Sequence, residues 1–271
     1  LLHDYPLLMN ANEITDYQNS LETWQALTRQ PVQTISKQGT VRLKMQKDKV
    51  GLKNVEIKSD TLSIPFVLDT GANFSTVNES TATKMGLIIV DSAIDVGAIT
   101  GKVVEAKLGI CPEFSIGSIV VKDAVFLVFP DESLYFPQVG YQLNGIIGFP
   151  VIEALGEIQL TNDDELIVPE KPTAYESQNM ALDFLTPMIQ LGSEHYTFDT
   201  GAANTMLYSK YYKAHPEVYK GLKLQEFNSG SVGGVVKRSG YLVTFSPVIN
   251  NKKVNVDKVD LYTEDINPCI L

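Results

Sequence analysis

The word Asp-Thr-Gly-Ala occurs twice in this chain, at residues 69–72 within FVLDTGANFSTV and at residues 199–202 within YTFDTGAANTML. At average residue usage a given four-residue word arises at roughly one position in 10⁴ to 10⁵, so a second copy points to an internal duplication. Each copy follows a β-prone approach, Phe66-Val67-Leu68 in one case and Tyr196-Thr197-Phe198 in the other. A duplicated strand and turn would explain the repeat without any chemistry, so the rest of the chain has to decide.

The repeat extends beyond the word. A short helical segment follows each copy after the same delay, Glu79 to Met85 stopped by Gly86, and Ser209 to Ala214 ahead of Pro216. About thirty residues beyond each word a glycine-bearing hairpin tip is expected, Gly97-Ala98-Ile99-Thr100-Gly101 and Gly230-Ser231-Val232-Gly233-Gly234. No Lys-Ser/Thr pair and no helix follow the second tip, so it reads as a mobile hairpin and not as a phosphate loop. Upstream of Val41 the texture differs: Ile14, Tyr17, Leu21, Trp24 and Leu27 recur every three or four residues, Asn10 and Glu13 are placed as a capping box, and Pro31 ends the helix. This segment could be a pro-segment that fills the cleft, a docking helix or the remnant of a larger helical region, and it is expected to cover the β core.

The chain thus divides into an N-terminal helical extension (1–38), a first β lobe (39–170) and a second β lobe (171–271). The polar stretch 161–180, with Pro169 and Pro172, closes the first lobe and leads into the second. The run Asn267-Pro268-Cys269-Ile270-Leu271 matches Asn144-Gly145-Ile146-Ile147, but the sequence stops one residue short of a counterpart to Gly148. The second lobe is therefore read as cut short, and the repeat predicts a continuation of a glycine and roughly twenty residues forming a short helix and a strand.

Composition narrows the function. The 271 residues carry 22 Lys and Arg against 32 Asp and Glu, a net charge of −10, which disfavours nucleic acid and anionic membrane surfaces as partners. No apolar run reaches membrane-spanning length. The two cysteines, Cys111 and Cys269, exclude a disulfide scaffold and are expected to be free, packed thiols. His3, His195 and His215 fit no metal-ligand spacing, and His195 reads as an exposed strand residue. No cofactor and no metal are expected.

An aspartate at the end of a buried strand needs hydrogen bonds, because burying a lone carboxylate costs several kcal/mol. Thr70 and Thr200 offer hydroxyls, and Gly71 and Gly201 let backbone approach closely. If the two loops meet about a two-fold axis, the carboxylates face each other and share one proton. The pair then supplies a general base and a general acid for attack of water on an amide.

These residues resemble the two active-site loops of the aspartic peptidases, and the short lobes resemble the retropepsin-like branch, joined in tandem as in bacterial single-chain relatives. The resemblance spans residues 39–271 and implies a mostly β, bilobal acid-protease fold with pseudo-two-fold symmetry. Ile146-Ile147-Gly148 would pack behind the first loop. The resemblance implies Asp69 and Asp199 as the catalytic pair, with Thr70, Gly71, Thr200 and Gly201 supporting it. Ala72, Asn73, Ala202 and Ala203 would border the substrate, although Asn73 serves equally well to satisfy nearby backbone. Gly97, Ile99 and Gly101 in one tip, and Gly230, Val232 and Gly233 in the other, would form flaps over an extended peptide. Neither tip has the tyrosine of the pepsin branch. The implied protein is a monomeric aspartic endopeptidase with an intramolecular dyad and a peptide or protein substrate, in a secreted, periplasmic or envelope setting. The alternative is a peptide-binding protein that keeps the scaffold without turnover.

Overall fold

Strand Lys53–Ser59 turns Val55 and Ile57 inward and Glu56 and Lys58 outward, the period-two pattern of a half-buried strand. It pairs antiparallel with Leu62–Leu68 in a register that sets Ser59 against Leu62, leaving a two-residue turn at Asp60-Thr61. Asp60 takes a φ of 53°, a conformation Asp tolerates better than most residues. The computed structural model describes residues 3–4, 6–97, 103–176, 178–183, 185–249 and 251–265, and it is mostly β.

In the first half the pairings close on themselves. Leu62–Leu68 lies beside Lys53–Ser59, which meets Val103–Ile116; that strand pairs with Ile119–Phe129, then Ser75–Asn78, then Gly145–Ile147, which returns to Leu62–Leu68. Adjacent residues of these strands alternate between two cores. Phe66, Leu68, Phe126, Val128 and Ile147 join one cluster, where the Phe126 ring meets Phe66 and Phe114 edge-on at 6.2 and 5.9 Å. Val67, Leu127, Phe129 and Ile146 face the other, with Leu108, Leu134 and Leu143. Apolar runs without alternation are what strands buried on both faces require.

The second half repeats part of this plan. Met206–Leu207 runs parallel to Val256–Tyr262 just as Ser75–Asn78 runs parallel to Ile119–Phe129. Helices Glu79–Lys84 and Ser209–Ala214 each begin ten residues after their aspartate. The core here is thinner, with Leu207, Val243, Phe245, Val259 and Leu261 buried and tyrosines packed around them. Among the described residues, no strand bridges Glu194–Thr197 and Met206–Leu207 in the way Gly145–Ile147 bridges its two neighbours. The expected counterpart, Asn267 to Leu271, lies outside the described residues, as do Ile99, Gly101 and Cys269.

Helix Ala11–Leu27 opens with the reciprocal capping box: Asn10 N–H donates to Glu13 Oε2 at 2.7 Å and Glu13 N–H to Asn10 Oδ1 at 3.0 Å. Its end packs on the second cluster through Ala26 and Leu27, with Thr23 buried and Trp24 beside Phe74, while Tyr17, Leu21 and Trp24 stay exposed where that face borders an open cleft.

Candidate active site

Asp69 leaves the end of the Leu62–Leu68 strand with its backbone N–H bound to Ile147 O at 3.0 Å. Strand Gly145–Ile147 therefore fixes where the loop begins. The layer continues behind the loop, where Phe149 N–H donates to Ala72 O at 2.8 Å and Gly148 N–H to Ser75 Oγ at 3.1 Å. A Cβ on Gly148 would stand 2.5 Å from the Phe74 carbonyl, so this close approach of backbone to backbone requires glycine.

The two Asp-Thr-Gly loops meet and brace each other reciprocally. The Thr70 hydroxyl donates to Phe198 O at 2.6 Å and the Thr200 hydroxyl to Leu68 O at 2.6 Å. Thr70 N–H donates to Thr200 Oγ1 and Thr200 N–H to Thr70 Oγ1, both at 3.1 Å. Within each loop the glycine amide donates to its own aspartate, Gly71 to Asp69 Oδ1 and Gly201 to Asp199 Oδ1, both at 2.8 Å. Each glycine also lies against the opposite carboxyl group: a Cβ on Gly71 would fall 2.7 Å from Asp199 Cγ, and one on Gly201 would fall 2.2 Å from Asp69 Cγ. Any side chain there would occupy the space of the carboxyl group.

The two carboxyl groups stand close enough to act on each other. Asp69 is held up to about 7, first by burial, then by the charge on Asp199 and the hydrogen bond with it; the Gly71 and Ala72 amides oppose the shift. The environments differ, since Asp69 is partly buried and Asp199 exposed. The residues leading into them differ likewise, with Leu68 at 1% exposure and Phe198 at 37%.

Both aspartates open into one cleft of 1760 Å³ lined from both halves. Gly71, Ala72, Asn73, Gly201, Ala202 and Ala203 line it, while Thr70 and Thr200 do not and instead join the two loops. Asn73 is exposed there and accepts a long contact of 3.4 Å from the Thr186 hydroxyl. Gly97 lines the cleft at the end of its strand. In the other hairpin, Gln225–Ser231 pairs with Gly234–Phe245 around a two-residue turn, and Gly230 and Val232 line the cleft. Gly233, at φ 82°, instead donates to Ser133 O at 3.1 Å, and Val232 packs on the second cluster of the first half. This tip is therefore docked across the cleft onto the other half. His195 is exposed on its strand, and among the described residues no group of three or more metal-ligating side chains occurs.

Sequence reasoning missed Tyr208, whose hydroxyl is held above its ordinary value by burial and by the charge of Asp199, and whose ring stacks on Tyr262 at 6.1 Å. Aligning the repeats would have found it. Tyr208 stands nine residues after Asp199, where Asn78 stands after Asp69. Asn78 caps its helix by accepting from Thr81 N–H at 2.8 Å, a bond the tyrosine does not make.

Comparison with known proteins reaches part of the chain. Residues 54–151 match a family model described as aspartyl protease. A search of curated proteins gives no match. Among solved structures, a retropepsin-like aspartic protease from Rickettsia conorii aligns at 16% identity over 51% of this chain and 92% of that one, with a TM-score of 0.32. The family match takes in the first Asp-Thr-Gly loop and the strand behind it.

Proposed function

We propose that this chain is an aspartic endopeptidase in which Asp69 and Asp199 activate water against a peptide bond. The observation that carries the reading is the reciprocal meeting of the two loops, which sets each carboxyl group against the opposite loop's glycine and opens both into one cleft. Residues 39–170 and 171–271 act as two lobes that each give one loop, a division supported by the matching parallel strand pairs. A single chain supplies both carboxyl groups, so no second copy is needed to complete the pair.

In the working state Asp69 carries the shared proton and Asp199 is ionised. Water between them loses a proton to the Asp199 carboxylate as its oxygen bonds to the scissile carbonyl carbon. The Asp69 hydroxyl donates to the carbonyl oxygen and stabilises the tetrahedral intermediate. That intermediate collapses when its C–N bond breaks and the proton held by Asp199 passes to the leaving nitrogen. The glycine amides keep both carboxyl groups oriented throughout. The peptide lies extended beneath the hairpin 225–245, whose tip must leave Ser133 to admit it.

The test is a labelled peptide library incubated with the protein between pH 3 and 9, with and without EDTA and a statine-type inhibitor. The reading expects internal cleavage with a bell-shaped pH dependence, blocked by the statine and indifferent to the chelator. Binding without cleavage at any pH would identify a peptide-binding protein instead.

A further inference from the structure

Helix Ala11–Leu27 gives the cleft a wall that the paired loops do not themselves need. Tyr17, Leu21 and Trp24, spaced four and three residues apart on one helix face, line the same cleft as Asp69 and Asp199. They remain 38%, 48% and 59% exposed. Three large apolar side chains left open on one face mark a binding surface when they are continuous with a cleft.

The wall is anchored. Thr23 is buried and its hydroxyl donates to Asn19 O at 2.8 Å, and Ala26 and Leu27 pack on the second core cluster. The Trp24 ring stands 6.4 Å from Phe74, five residues after Asp69, so the helix touches the same loop that carries the aspartate. Nor does the helix plug the site: 1760 Å³ stays open between it and the opposite half, above the roughly 300–1,000 Å³ of small-molecule pockets. That room suits an extended chain with side chains on both sides.

We infer, building on the peptidase reading above, that Tyr17, Leu21 and Trp24 form an apolar subsite that receives one large aliphatic or aromatic side chain of the bound peptide. The helix is then a specificity element of the cleft. A residue such as Leu, Phe or Tyr at one fixed position of the peptide covers these three side chains, whereas alanine leaves them wet.

Two measurements separate this inference from the reading it builds on. Trp24 is the single tryptophan in the sequence, so its emission reports on this wall alone. In the full chain carrying Asp199→Asn, saturation with a peptide bearing Leu or Phe at the fitting position is expected to shift that emission to the blue. The alanine peptide should bind about tenfold more weakly. In the unsubstituted chain, the double variant Leu21→Ala/Trp24→Ala should lose about tenfold in kcat/KM on the large-residue peptide and stay within about twofold on the alanine peptide, with Trp24→Phe restoring the preference. Circular dichroism of each variant checks that the helix persists. Cleavage whose preference is the same in the double variant, with silent Trp24 emission at saturation, overturns the subsite. A blue shift with about tenfold weaker binding of the alanine peptide but no cleavage by the unsubstituted chain removes the peptidase reading and leaves the subsite standing. Neither binding nor cleavage removes both.

Discussion

Replacing Asp69 by asparagine keeps the shape of the side chain and removes its titration. In the folded protein Asp69 is raised from 3.8 to about 7, so between those values the native pair holds a proton that the unfolded chain has released. The native state binds more protons there, and stability must fall as pH rises. The contribution is fully present below pH 3.8 and is lost as pH passes through about 7. About three units at roughly 1.4 kcal/mol each gives an upper value of about 4 kcal/mol, and the open side of the site brings it to about 2–4 kcal/mol. For a chain of this size that corresponds to about 5–15 °C in Tm. The assay is thermal unfolding of the parent and of Asp69→Asn from pH 4 to pH 8, read as the difference between the two so that other titrating groups cancel. The curves should converge near pH 4, with the variant more stable by about 2–4 kcal/mol at pH 8. A difference that is flat with pH, or that favours the parent increasingly as pH rises, would falsify the assignment of the proton to this pair.

Other perturbations follow from the same geometry. Thr70→Ala or Thr200→Ala removes one donated and one accepted bond across the loops, so each should cost about 1–3 kcal/mol in denaturant unfolding and lower kcat, with Thr→Ser recovering most of both. Gly71→Ala and Gly201→Ala place a methyl group where the opposite carboxyl group sits, so cleavage should fall at least about a hundredfold while circular dichroism stays native; wild-type rates would refute the packing. The Cys111 thiol is pushed up to about 12 by burial, so mass-mapped alkylation at pH 8 should leave it unmodified until the protein is unfolded. Cleavage should decline as pH rises through about 7, because the acid form of Asp69 is then lost.

Much of this site could be read from residue order. The two words, the helices ten residues beyond each aspartate and the Asn10–Glu13 box are local signals, and local hydrogen bonds realise them. The apolar stripe of helix Ala11–Leu27 predicted a buried face, but periodicity does not say what a face meets, and Trp24 meets a cleft. The docking of Gly233 on Ser133 joins residues a hundred positions apart through backbone atoms alone, which no side-chain pattern encodes. The strand that backs the first loop, Gly145–Ile147, likewise comes from far along the chain.

The central claim is that one proton shared by Asp69 and Asp199 drives peptide hydrolysis. It is tested most directly by kcat/KM on a single peptide substrate for the parent chain, Asp69→Asn and Asp199→Asn at the parent's pH optimum. Both substitutions are expected to reduce kcat/KM by at least about 10²–10⁴-fold, to a similar extent, with the thermal transition retained. Either variant cleaving within about tenfold of the parent rate would contradict a shared dyad.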